Sequence, residues 1–174
     1  MNLRMQENLR QQLAAAADTI VVKVGTRVLA RDDGALDEQR VTAIAAQLAD
    51  LADAGRRVAL VTSGAVGAGL GRLSLVSRPT DLAELQAVAA LGQSHLIEVY
   101  NRELEAHGHR AAQVLLTADD LNDRRRYLNV RNTLLALFDY GAIPIINENA
   151  TVRVDELPRH DGDNDRQAAM ATNQ

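Results

Sequence analysis

Apolar residues along this chain follow two alternating rhythms. Thr19–Val24, Arg57–Thr62, Ala111–Leu116 and Ala142–Ile146 are short, nearly continuous apolar runs. Runs of that length predict strands buried on both faces. Between them, apolar residues recur every three or four positions. Val41, Ile44, Ala45, Leu48 and Leu51 form one stripe, and Leu82, Leu85, Ala89, Leu96 and Val99 form another. That spacing predicts helices over about Asp37–Ala54 and Asp81–His107. Asp37 is placed to cap the first and Gly55 to stop it. A small-residue helix follows Ser63-Gly64-Ala65 and runs to about Leu73. Another opens at Asp123 and ends near Tyr140-Gly141. Leu3, Leu9 and Leu13, with Ala14 to Ala17, predict a helix over 3–16. Val28 and Leu29 are expected to begin a short return strand before a turn at Asp32-Asp33-Gly34.

Strand and helix alternate throughout, so the expected fold class is α/β: a three-layer αβα sandwich around a mostly parallel sheet. Residues 1–18 read as an N-terminal helical extension and 19–174 as one domain. A chain of 174 residues can bury roughly 70% of its unfolded surface. In such sheets ligands bind beyond the carboxyl ends of the strands. Three polar or glycine-rich clusters fall there: Lys23-Val24-Gly25-Thr26, Thr62-Ser63-Gly64-Ala65 and Asn147-Glu148-Asn149.

Composition narrows the chemistry. One Phe, three Tyr and no Trp leave an aliphatic core, and the net charge is −4. A nucleic-acid surface needs clustered positive charge, so no nucleic-acid partner is expected. The one dense basic run, Arg124 to Arg126, reads most simply as a solvated helix start. There is no cysteine, hence no disulfide and no thiolate metal site. The first residues lack an apolar signal core, and no run is long enough to span a bilayer. No membrane partner and a cytoplasmic location are expected.

Lys23 is the only lysine; every other cationic side chain of this type is Arg. Inside a β-branched run a charge is costly unless paired. It either snorkels to the sheet edge or presents a compact cation at a strand end, beside a glycine that admits a phosphate. Ser63-Gly64-Ala65 begins a helix directly after a strand, where backbone N–H groups bind anions. Gly64, Gly67, Ala68 and Gly71 share one helical face, which also suits close packing. Neither a Walker loop nor a dinucleotide fingerprint is present. Gly162-Asp163-Asn164-Asp165 suits a turn and helix cap as well as a site. The four His (His95, His107, His109 and His160) are scattered and read as structural or exposed. No metal ligand set is expected.

Taken together, Lys23–Thr26 and Val61–Ala65 resemble the first two motifs of the amino-acid kinase family. Within it, further stretches are similar to the glutamate 5-kinase branch: Leu91–Ser94, Gln113–Thr117, Tyr127–Leu134, Ile143–Asn149 and Gly162–Asp165. The resemblance runs from about Thr19 to Asp165, in order. It implies transfer of phosphate from ATP, with Mg2+, to the side-chain carboxylate of glutamate, the first step of proline biosynthesis. It also implies a homo-oligomer. By this likeness Lys23, Gly25 and Thr26 would face the transferring phosphate. Ser63, Gly64 and Ala65 would bind glutamate, Asn147 and Asn164 would line its pocket, and Asp165 would organise the cations.

Two features depart from the family pattern. Ala150 stands where an Asp that helps bind the substrate is usual. The link from Ala150 to Asp161, with Pro158-Arg159-His160-Asp161, is about two residues longer. The family's Thr-Asp motif, second phosphate-binding lysine and adenine pocket have no counterpart before Gln174, so the chain corresponds to the N-terminal, substrate-binding portion. A non-catalytic ligand-binding or subunit-interaction domain is the reading from a different class. Another member of the same kinase family is the nearer alternative.

Overall fold

The structure, a computed structural model, describes residues 3–152. Helix α1 (Leu3–Ala16) leads into strand β1 (Thr19–Val24), and a single helical turn, α2 (Thr26–Leu29), follows. Then come α3 (Glu38–Asp53), β2 (Arg57–Thr62), α4 (Ala65–Leu73), α5 (Leu82–Ala106) and β3 (Arg110–Leu116). The short α6 (Ala118–Asn122), α7 (Arg124–Asp139), β4 (Ala142–Glu148) and a 3-10 turn at Ala150–Val152 complete the described chain. The sheet order is β1-β2-β4-β3, and every pairing is parallel.

Alternation along the central strands builds two cores. Val58 and Leu60 of β2, with Ile143 and Ile145 of β4, face Val41, Leu48, Leu96, Val99 and Leu104 of α3 and α5. Ala59, Val61 and Ile146 face the other way, toward Leu134 of α7 and the partly buried Tyr127, Val130 and Phe138. The result is the expected three-layer sandwich. β2 and β4 are buried on both faces, which is why neither shows a polar alternation. The edge strands β1 and β3 are only partly buried.

Caps fix the helices as the sequence suggests. The Asp37, Asp81 and Asp123 carboxylates accept from the backbone N–H of Arg40, Glu84 and Arg126, at 3.2, 2.9 and 2.9 Å. Such a cap satisfies one of the amides that a helix start leaves open. Arg124 to Arg126 are exposed in the first turn of α7. Arg126 reaches Asp120 at 3.6 Å, so this run is a solvated helix start.

Two expectations are corrected, and one element is added. Val28 and Leu29 do not form a strand: Val28 N–H donates to Gly25 O at 3.0 Å, closing the α2 turn. Leu29 is driven into the core while Val28 stays exposed, and one bridge, Ala30 to Leu36, is all the pairing that follows. Leu82 leaves the buried face of α5 and is 38% exposed, because the helix meets the core only from Val88 onward. Helix α6 has no apolar stripe and was not foreseen. It is specified by a capping box between Thr117 and Asp120. Burial pushes the Asp120 carboxyl up, but hydrogen bonds from Thr117 and the nearby Arg126 charge outweigh this and hold it below its ordinary value.

Candidate functional site

The carboxyl ends of β1, β2 and β4 form one rim of the sheet, since Val24 pairs with Thr62 and Val61 with Ile146. All three expected clusters up to residue 149 therefore meet there. Two of them touch: Thr26 Oγ1 donates to Ser63 Oγ at 3.1 Å, and Ser63 Oγ donates to Val24 O at 3.3 Å. With its proton so used, Ser63 presents a lone pair to the rim.

The β2–α4 corner is shaped by backbone. Gly64 caps α4 with φ +101°, in the left-handed region, a conformation that favours glycine. Among the described residues no side chain caps the first turn of α4, which leaves its N–H groups available to an anion. The glycines beyond are packing residues. A Cβ on Gly67 would lie 2.7 Å from Gly34 O, and one on Gly71 would lie 3.2 Å from Ala35 Cβ. The tightest seam was not foreseen. A Cβ on Gly69 would lie 2.0 Å from Val88 O, and one on Gly92 would lie 1.8 Å from Ala65 O. Helix α5 is thus pressed directly onto the start of α4.

Below this corner Thr62 is fully buried, and its hydroxyl donates to Ser63 O at 3.1 Å. The Tyr100 hydroxyl comes near Thr62 without the geometry of a full hydrogen bond. Burial pushes its phenol up to about 12, and the Thr62 side chain partly offsets this.

At the end of β4, Asn147 follows Ile143 and Ile145 onto the face covered by α5. It is 5% exposed. Its Oδ1 accepts from Glu148 N–H at 2.8 Å, and its Nδ2 donates to Gln93 Oε1 at 2.7 Å. Asn149 N–H bonds Leu116 O at 2.8 Å, tying the end of β4 to β3. Ala150 opens the 3-10 turn, half-buried, and brings no carboxylate to the rim. Lys23 leaves β1 on the opposite side, sharing its face with Val21, and is exposed. Thr26 is exposed as well, and Gly25 is extended (φ −79°) with open space where a Cβ would stand.

Gly162, Asp163, Asn164 and Asp165, with the lengthened link at Pro158 to Asp161, lie outside the described residues. Among the described residues no group of three or more His, Asp or Glu could hold a metal ion. No helix there is long and apolar enough to cross a membrane. A cleft of about 580 Å³ opens between the start of α3 and α4 and is lined by Arg31, Glu38, Arg72 and His95 among others. None of the expected site residues among the described residues lines it. Its charges are largely matched: Glu38 meets His95 at 3.3 Å and Arg102 at 3.0 Å, and Arg72 meets Glu98 at 3.5 Å. The rim, not the cleft, carries the convergent donors.

Comparison with known proteins identifies the family. Residues 18–173 match the amino acid kinase family. The chain is 52% identical over 162 residues to a glutamate 5-kinase of Rhodopirellula baltica, covering 93% of this chain and 42% of that protein. It is 47% identical to one from Marinomonas sp., covering 95% and 43% respectively. It is 46% identical to one from Geobacter metallireducens, covering 95% and 44%. The chain thus spans less than half the length of the curated relatives it matches.

Proposed function

We propose that this chain, which belongs to the amino acid kinase family, is the acceptor-binding portion of an ATP:glutamate 5-phosphotransferase acting in proline biosynthesis. The observation that carries the reading is the joining of Lys23-Gly25-Thr26 to Ser63-Gly64-Ala65 at one rim, through the Thr26–Ser63 hydrogen bond, with Asn147 on the same rim. Residues 1–18 serve as an extension to the kinase domain, which begins at 19.

The chemistry suits these groups. A glutamate side chain, with an ordinary pKa of about 4.3, is already ionised at neutral pH, so no residue has to remove a proton from it. The remaining task is to align two anions and cancel their repulsion. Open N–H groups at the start of α4 and the Ser63 lone pair suit the carboxylates and the ammonium of an amino acid. Lys23 supplies a cation for the phosphates. ATP, when bound, supplies the phosphoryl group. Mg2+ is assigned to its phosphates, with Asp165 as the organising carboxylate and Asn164 as a further pocket residue. The whole enzyme is read as a cytoplasmic homo-oligomer.

Ala150→Asp tests the pocket. An anion restored near the substrate ammonium adds a hydrogen bond between charged groups, on the order of 1.5–3 kcal/mol. Calorimetry with L-glutamate should show binding by the parent chain and about 10- to 100-fold tighter binding by the variant. Unchanged or weaker binding would place the ammonium elsewhere.

A further inference from the structure

Leu91–Ser94 is a stretch for which the functional reading supplies no role, yet the structure sets Gln93 at the centre of the rim. Gln93 is 9% exposed. It follows Gly92, whose contact with Ala65 O leaves no room for a Cβ, so its backbone is held against the start of α4. Its side chain reaches the end of β4.

The orientation of its amide follows from the neighbours. Glu148 N–H can only donate, so the atom it meets on Asn147 is Oδ1. The other end of that amide, Nδ2, then donates toward Gln93. The Gln93 atom facing Asn147 must therefore be its oxygen. This leaves Gln93 Nε2, a two-proton donor, buried and without a hydrogen-bond partner among the described residues. A buried amide donor is rarely left unmatched unless something else supplies the acceptor.

We propose that Gln93 belongs to the acceptor site: its Oε1 locks the Asn147 amide, and its Nε2 donates to a carboxylate oxygen of the bound acceptor. Gln93 lies between Asn147, which its side chain meets, and Ala65, against which the preceding Gly92 is packed; both positions are already expected to meet that ligand. This rests on the proposed function for the identity of the ligand, but not for the geometry of the donor.

The test is calorimetry on the full chain with L-glutamate, L-aspartate and N-acetyl-L-glutamate, using the parent, Gln93→Met and Gln93→Glu. Gln93→Met keeps the shape and loses both amide ends. Gln93→Glu keeps an acceptor for Asn147 and replaces the donor with an anion. The Met variant should bind glutamate about 10- to 100-fold more weakly, and the Glu variant more weakly still. A parent that prefers one of the other carboxylates would overturn the glutamate reading, and Gln93 is then judged on that ligand. Equal binding by parent and Gln93→Met would overturn the Gln93 assignment while leaving the glutamate reading intact. A folded parent that binds none of the three carboxylates overturns it too. Should both variants fail to fold, the side-chain amide resonances of Gln93 in the parent decide. A shift and slowed exchange on adding the carboxylate support the assignment, and unmoved resonances overturn it.

Discussion

The two corners of the rim that meet through Thr26 and Ser63 are built in opposite ways. At the end of β2, position after position admits no side chain. Gly64 is left-handed, Gly67 meets Gly34 O, and Gly69 and Gly92 form a backbone seam. At the end of β1, Gly25 is extended with open space around it, and Lys23 and Thr26 are exposed. One corner owes its shape to backbone in contact with backbone. The other depends on what its side chains offer. Binding and stability should therefore be coupled at the first corner and separable at the second.

The largest break in that contrast is Gly92→Ala. The added methyl meets a carbonyl oxygen and a backbone nitrogen, at 1.8 and 2.3 Å, and neither can swing aside as a side chain would. Overpacking against backbone should cost at least about 3 kcal/mol, and carboxylate binding should fall with it. Urea unfolding reads the loss; a midpoint like the parent's would mean that the seam can open.

Alkaline pH should loosen the same corner from beneath. Tyr100 ionises near 10 in an unfolded chain, whereas burial holds the folded phenol up to about 12. Its contribution is whole below about pH 10. It is lost as pH rises toward 12, by about 2–3 kcal/mol in total. Tyr100→Phe should flatten that part of the stability curve. An unchanged slope in the Phe variant would assign the alkaline loss to other groups.

The smallest effect on stability is expected from Lys23→Met, within about 0.5 kcal/mol for an exposed edge position. Its effect on ligand is expected to be large. Affinity for tripolyphosphate should fall about 10-fold or more, as a charged hydrogen bond is removed. A parent-like affinity would show that the second corner does not meet phosphate.

Much of this architecture was legible in the chain because its signals are local. The β-branched run at Thr19–Val24, the stripe from Val41 to Leu51 and the Asp caps each depend on neighbours a few residues away. Val28-Leu29 misled because β propensity is a statement about burial and pairing, and here only Leu29 is buried. The capping box at Thr117 to Asp120 was visible in principle but lacks any apolar rhythm. The rim's clusters were identifiable one by one, whereas the Gln93–Asn147 bond joins residues 54 positions apart. The importance of Gly69 and Gly92 likewise comes from a helix–helix contact that no periodicity announces.

The strand order has a consequence in time. β4 lies between β2 and β3, so β3 pairs with no described strand except one made later in the chain. During synthesis from the N-terminus, β1 and β2 can join as soon as both exist. β3, its helix-covered face notwithstanding, must wait until residues 142–148 have emerged. Through that interval the inner edge of β2, an almost wholly apolar strand, has its amides and carbonyls open to any extended chain nearby. The last strand of the described sheet both completes the rim, through Asn147, and closes the interval in which the nascent protein is most prone to pair with the wrong partner.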